Sequence, residues 1–441
     1  MKPRSSSSIM TCMAAGIIGL FSAQITYAAS IKLSARGYSG TDDTRVFQQV
    51  LNDPKYDTVY VDRQNGPWVI APVTITRDNL TVVFEKGAVV QAKRGAFPGK
   101  YDGLFLFDGV KNLKLIGNGA TLKMNREEYT DGQWRMNIKL MDVRKALIDN
   151  LVLDGSGGDG VYVGTNNKAD NYCSDIKIQR CTIRNQKRQG ISVISVKGLL
   201  IKDCTITGTA GAPPSAGIDF EPNSSNQYLD NCVIENCVIK GNRGPGISIS
   251  PLNLKDHSAT VGITVRNSDI SGNRSAGISF NNREGNKVMG NVLVENSKIQ
   301  DNQKEGVIYR EVAGYQTTFR KVDFIDNAKE KNVTSSVLFR SDRKGGSAAA
   351  TRAGAAATRN AFSSASTADR KATAGNTRLS FEGCSIKNSN GKNAFRVQGQ
   401  IDDLDVDGDV KVQGAGAAAA TRISTTAKDN NGGIIKVKYN Q

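Results

Sequence analysis

Six times the chain places a glycine before a β-branched residue inside a short strand-like run. The copies are Gly160-Val161-Tyr162, Gly190-Ile191-Ser192, Gly217-Ile218-Asp219, Gly246-Ile247-Ser248, Gly277-Ile278-Ser279 and Gly306-Val307-Ile308. The glycines are spaced by 30, 27, 29, 31 and 29 residues. A period of that length is the signature of a stacked solenoid. Sequence columns then become spatial columns, and side chains distant in the chain become neighbours.

A second column sets the register. Ile176-Lys-Ile-Gln-Arg-Cys-Thr-Ile, Leu200-Ile-Lys-Asp-Cys-Thr-Ile and Val233-Ile-Glu-Asn-Cys-Val-Ile are variants of one pattern, continued from Ile263, Val292 and Leu379. Alignment stacks Cys181, Cys204, Cys237, Ser268, Ser297 and Cys384, followed by a turn column of Asn242, Asn273, Asn302 and Asn327. Asn at a repeated turn bonds its own backbone and tolerates a left-handed conformation. Each repeat reads as strand, Asn/Gly turn, strand, Gly turn, and residues 140–330 carry no convincing helical period. The expectation is all-β, a right-handed parallel β-helix with rungs about 4.8 Å apart.

The ends read differently. Residues 1–28 look like a secretory signal: Lys2 and Arg4, an apolar run from Met13 to Leu20, and Thr26-Tyr27-Ala28 as the cleavage tripeptide. That run is too short for a membrane span, and Cys12 lacks the preceding apolar core of a lipid anchor. A secreted or periplasmic monomer is expected. Residues 29–340 form the β-helix and its cap. In the cap, Val46, Phe47, Val50 and Leu51 share one helical face behind the N-capping candidates Thr41, Asp42 and Asp43. Residues 125–136 break the period and read as a loop standing out from the coil. Residues 341–376, rich in Ala, Ser, Thr, Gly and Arg, read as a mobile low-complexity insertion. Residues 377–441 return to coils. Cys181, Cys204 and Cys237 suit small buried positions, whereas Cys173 and Cys232 lie off that column and are the pairing candidates. The single histidine, His257, rules out a Cys/His zinc site and reads as a surface residue.

The net charge of +16 suits an acidic polysaccharide or an anionic envelope as partner. Nucleic acid is not expected, because aromatics make up only 6% and form no stacking platform. The chemistry concentrates on three successive coils. In Gly217-Ile-Asp-Phe-Glu-Pro-Asn, Ile218 and Phe220 face inward and Asp219 and Glu221 outward. Asp219 stacks on Ser192 and then Tyr162, and Asp159 on Gln189. The resulting cluster is Asp159, Tyr162, Lys187, Arg188, Gln189, Asp219, Glu221 and Asn223. No cofactor is required. Calcium, held by Asp219, Glu221 and the Asn223 carbonyl, is the one candidate ion.

The runs Arg188-Gln-Gly-Ile-Ser-Val-Ile-Ser and Gly217-Ile-Asp-Phe-Glu-Pro-Asn resemble secreted right-handed β-helix proteins of the pectate-lyase-like superfamily, and Gly40-Thr-Asp-Asp-Thr-Arg-Val-Phe-Gln is similar to a cap segment of that group. The resemblance covers about residues 30–340 and implies the fold and a carbohydrate-active role. The group holds lyases, hydrolases and epimerases. The Asp-Pro-His-Asp motif of mannuronan epimerases is absent, as are the paired Asp-Asp and Gly-His-Gly of polygalacturonases. The first expectation is a polysaccharide lyase acting on a uronic-acid polymer by β-elimination. Arg188 or Lys187 would neutralise the sugar carboxylate, Tyr162 or Lys187 would serve as base or acid, and Asp219 and Glu221 would hold calcium or orient the cation. Asp159, Gln189 and Asn223 would bind substrate. The alternatives are a glycoside hydrolase using Asp219 and Glu221, or Asp159 with one of them, and a non-catalytic glycan-binding solenoid.

Overall fold

The computed structural model describes residues 29–131, 134–166, 171–254, 260–283, 288–311, 314–341, 377–398, 404–414, 424–425 and 435–440. Residues 1–28, read as a secretory signal, all but the first residue of 341–376, read as an insertion, and His257 lie outside these residues. Every strand pairing among the described residues is parallel, and each coil pairs with the coil before and after it. The architecture is a parallel β-helix.

Each coil carries three strands, where two were expected. One coil runs Cys173–Gln179, Thr182–Arg184 and Gln189–Val193. The long patterned run is broken at a single residue. Arg180, Asp203, Asn236, Asn267 and Asn296 occupy successive coils with φ between +47° and +53°. Asn and Asp visit this left-handed region at low cost, so the chain turns there without a loop. The Cys/Ser column follows that bend. Cys181, Cys204 and Cys237 are buried as expected.

The asparagine column does something other than turn the chain. The left-handed positions are the residues before it, among them Gly241, Gly272, Asp301 and Asp326. Asn242, Asn273, Asn302 and Asn327 are fully buried and hydrogen-bonded from coil to coil. The Asn242 backbone N–H and side-chain amide both donate to Asn273 Oδ1, at 3.1 and 3.0 Å, and Asn273 repeats this toward Asn302 at 3.0 and 3.0 Å. The Asn273 amide also donates to the Ile239 carbonyl at 3.2 Å. This ladder satisfies main-chain groups that the third corner would otherwise bury unpaired.

The repeated glycine answers a different need. A Cβ on Gly217 would lie 2.5 Å from Ile239 Cγ2 and 2.6 Å from the Gly246 carbonyl oxygen. It is close approach of successive coils, rather than a turn, that excludes a side chain. Inside, like residues stack: Ile178, Ile201, Ile234, Val265, Val294, Phe319 and Phe381 are successive register partners with at most trace exposure. Phe319 and Phe381 stack at 5.0 Å between ring centroids. The strand Thr377–Lys387 pairs with Gln316–Arg320 and Asp323–Ile325, so the sheet resumes directly after the insertion.

The N-terminal cap is the helix α1 (Thr44–Asn52), which buries Phe47, Val50 and Leu51. Asp43 does not cap it with its side chain. Its carboxylate accepts the Ser39 and Val69 backbone N–H groups instead, fastening the cap to the first coils. Two further expectations are corrected. All six described cysteines are unpaired thiols. Cys173 is the register partner of Val196 and Cys232 of Leu199, so the two belong to different columns that the stack keeps apart. The described residues of the 125–136 segment are anchored inward at two points: Tyr129 and Arg135 are buried, and Arg135 lies 5.1 Å over the Tyr129 ring. The ring packs where a Cβ on Gly157 would fall, at 2.4 Å.

Replacing Asn273 with Ala strands the Asn242 donors and removes a donor to the Ile239 carbonyl. Urea unfolding should show a loss of about 1–3 kcal/mol. The exposed Asn118→Ala substitution, which removes one half-buried hydrogen bond, should cost less.

Candidate functional site

The candidate residues gather on the strands Asp159–Gly164, Gln189–Val193 and Ala216–Phe220. Tyr162, Ser192 and Asp219 are register partners on successive strands, as are Asp159, Gln189 and Ala216. The expected stacking is therefore present. The expected exposure is not. Asp219 points away from the Ile218 and Phe220 core positions yet is 1% exposed, and Asp159 is 0% exposed. On a surface whose rungs lie about 4.8 Å apart, large side chains cover small ones.

The cluster is organised around one guanidinium. Arg188 lies 3.0 Å from Glu221 Oε2 and 3.9 Å from Asp159 Oδ1, with its side chain 14% exposed and that of Glu221 38%. Gln189 donates to Asp219 Oδ2 at 2.6 Å and accepts the Ala216 N–H at 3.0 Å. Asp219 Oδ1 and both Asp159 oxygens have no hydrogen-bond partner at normal geometry. Buried carboxyl oxygens without donors favour the protonated form. Burial raises the Asp159 carboxyl to about 7, against the pull of Arg188. Burial, followed by the neighbouring Glu221, raises Asp219 well above the ordinary range. Burial alone would lower Arg188, but Asp159, Glu221 and Asp219 together outweigh it and hold its charge more firmly.

Two residues take other places. Burial, then Asp159, raises the Tyr162 phenol to about 12, so it stays protonated and does not suit the role of base. Asn223 lies against its hydroxyl, with its own backbone folded onto Gln227. Lys187 is drawn out of the cluster. Its ammonium donates to the Tyr129 carbonyl, and burial and the nearby Arg126 and Arg135 lower its pKa. The inward-folded loop captures it. Of the carboxyls considered for calcium, Asp219 is bonded to the Gln189 amide at 2.6 Å and Glu221 is paired with Arg188 at 3.0 Å. Among the described residues, no three His, Cys, Asp or Glu side chains are arranged to hold a metal ion.

Sequence reasoning missed the flank of this site. Lys139 is the register partner of Tyr162 one coil earlier. Its ammonium donates to the Tyr101 carbonyl at 3.1 Å and sits 5.7 Å from the Tyr101 ring centre. Tyr101 stacks on Trp134 at 5.3 Å and is 62% exposed. Aligning Ile138-Lys-Leu with Val161-Tyr-Val would have found Lys139. No repeat carries Tyr101 or Trp134.

The family model described as "Right handed beta helix region" matches residues 110–293. The chain folds as a right-handed parallel β-helix. Among solved structures it is similar to the mannuronan C-5 epimerase AlgE4 A-module of Azotobacter vinelandii, 12% identical, covering 92% of this chain and 100% of that one, with a TM-score of 0.60. It is also similar to the catalytic unit of the GH87 alpha-1,3-glucanase from Streptomyces thermodiastaticus strain HF3-3, 12% identical over 94% of this chain and 69% of that one, with a TM-score of 0.54. Among curated proteins, the SPbeta prophage-derived uncharacterized protein YorA of Bacillus subtilis (strain 168) is 21% identical over 187 residues, 38% of this β-helix and 31% of its own length. The chain thus spans about a third of that relative. These likenesses establish the fold. No described helix is long and apolar enough to cross a membrane.

The raised Asp159 carboxyl makes stability depend on pH. Between its unfolded value of 3.8 and about 7 the folded state holds the extra proton, so its contribution is present at low pH and is lost as pH rises through 7. Asp159→Asn should melt close to the parent at pH 4 and progressively above it as pH rises to 8, as read by thermal unfolding across that range.

Proposed function

We propose that this β-helix protein is carbohydrate-active and cleaves glycosidic bonds by acid/base chemistry centred on Glu221. The observation that carries the reading is the set of three carboxylates around Arg188, two of them buried enough to hold protons near neutrality while the third is accessible. Carboxyl groups pushed to different protonation states are what glycoside cleavage needs. Glu221 is the group that can meet a sugar. Glu221, paired with Arg188, can take a proton from the water that attacks the anomeric carbon while the proton held by Asp219 beside it passes to the departing glycosidic oxygen, and Glu221 then returns its proton to Asp219. Arg188 fixes Glu221 and keeps the acids from repelling one another. The named activities of two neighbours of the same fold, an epimerase of mannuronan and an alpha-1,3-glucanase, agree with a polysaccharide substrate.

Hydrolysis is favoured over elimination. β-Elimination needs a cation available to neutralise the substrate's carboxylate, and Arg188 is already shared among three acids. Elimination stays as a second reading on one observation, the net charge of +16, which suits a uronic-acid polymer. The Tyr101–Trp134 stack, three to four coils before Asp219, offers an apolar surface to a sugar ring on the same face. As regards location, the leader-like sequence favours export.

Purified protein should release new reducing ends from a panel of alginate, pectate, α-glucan and glycosaminoglycan polymers. The absence of absorbance from unsaturated uronates would mark hydrolysis, and its appearance would overturn it in favour of the lyase. Glu221→Gln should lower kcat about 10²–10⁴-fold with a smaller effect on melting temperature, since the Gln side-chain oxygen can still accept the Arg188 hydrogen bond. Trp134→Ala should raise KM with a smaller effect on kcat, as measured by initial rates on oligosaccharides.

A further inference from the structure

Of the two buried acids near Arg188, only one is oriented. Both Asp159 oxygens lack a hydrogen-bond partner at normal geometry, whereas Asp219 lacks one at Oδ1 alone. Asp219 Oδ2 accepts the Gln189 side-chain N–H at 2.6 Å. Gln189 stands on the strand between the two acids, in register with Asp159 on one side and Ala216 on the other. It is fully buried, which removes it from the substrate contact expected of it. The main chain decides which way its amide points. Gln189 Oε1 accepts the Ala216 N–H at 3.0 Å. A backbone N–H can only donate. A flipped amide would set two donors face to face there and leave both unpaired in the interior. The amide nitrogen therefore faces Asp219, and Oδ2 is an acceptor.

We propose that Gln189 is a positioning residue of this site: by holding Asp219 Oδ2 as the acceptor oxygen, it confines the carboxyl proton to Oδ1. The carbonyl oxygen of a protonated carboxyl is its better acceptor, so the proton settles on the other oxygen. Burial keeps the proton there at rest, and Glu221 is the carboxylate beside it. The proton thus starts on the one oxygen with no protein donor against it. From there it can pass to a departing glycosidic oxygen and be replaced from Glu221. Asp159 has no such guide at either oxygen and does not suit a directed donor. The groups facing the Gln189–Asp219 pair are Asp159 and Tyr162 from the preceding strand, Arg188 from the turn before Gln189, and Glu221 after the Asp219 strand. The next coil contributes only the neutral Ser248. The inference rests on the acid/base reading of Asp219 and Glu221 but makes a separate claim: which oxygen carries the proton, and what keeps it there.

Infrared spectra of the full chain test the placement of the proton without any substrate. The protonated-carboxyl band lost in Asp219→Asn is the Asp219 band. A C=O that accepts a hydrogen bond absorbs at lower frequency, so Gln189→Leu should move that band up. Kinetics on whichever polymer of the panel is cleaved give a second readout. Gln189→Leu should lower kcat by up to about 10²-fold, with KM little changed. Gln189→Glu keeps an acceptor for the Ala216 N–H and can donate to Asp219 only while its own carboxyl is protonated. Its rate should approach that of the parent at acid pH and fall away at a lower pH than the parent's does. A merely structural side chain would not give that rescue. If the leucine variant does not fold, the Asp219 band followed in Gln189→Glu as pH rises makes the same comparison. A Gln189-dependent band with no polymer cleaved would sink the catalytic reading and leave the proton placement standing. The inference is overturned by an Asp219 band that ignores Gln189, by the absence of a protonated Asp219 band in the parent, or by a Gln189→Glu pH profile parallel to the parent's.

Discussion

Strict strand-to-strand register is the constraint on which the rest of the molecule depends. It is held at two buried corners. At one, glycines let the main chains of successive coils approach closer than any side chain allows. At the other, asparagine amides hand hydrogen bonds from coil to coil and use up the polar groups of the bend. A slip by one residue would strand these amides in an apolar interior and turn the core columns outward. The register is over-determined, and the outer face inherits that order.

On such a face, exposure is decided by neighbours more than by direction. Asp219 points outward and is nevertheless buried, with Gln189 bonded to its carboxyl at 2.6 Å and Glu221 and Arg188 beside it. Burial converts a row of ordinary acids into groups of differing proton affinity. Arg188 makes that tolerable. Without it, Asp159, Asp219 and Glu221 would meet with no compensating charge. Protonation, charge pairing and access are thus settled by one stacked neighbourhood. The proposed division of labour, an accessible carboxyl backed by a buried one, follows from depth alone.

The same sheet face changes character along its length. An aromatic pair with Tyr101 exposed lies toward one end, the carboxylate cluster follows, and hydroxyl and amide groups of Ser248, Ser250 and Asn281 come next. A solenoid displays such a series in line because each coil contributes one rung. A ligand shaped as a long chain matches that geometry better than a compact one.

The repeat, the strand content, the cap helix and the Tyr162–Ser192–Asp219 column were all legible in the sequence, because periodicity in a solenoid is local information and each coil repeats it. The third strand per coil was hidden: a left-handed residue such as Arg180 or Asn236 bends the chain without interrupting the apolar pattern. Tertiary structure alone decided what each outer side chain meets. It drew Lys187 to the Tyr129 carbonyl, kept Cys173 and Cys232 in separate columns, and placed Trp134 against Tyr101. These outcomes depend on a loop folding back and on the sizes of side chains one coil away. A one-dimensional pattern records which way a residue points. How deeply it is covered is decided only when the coils are stacked.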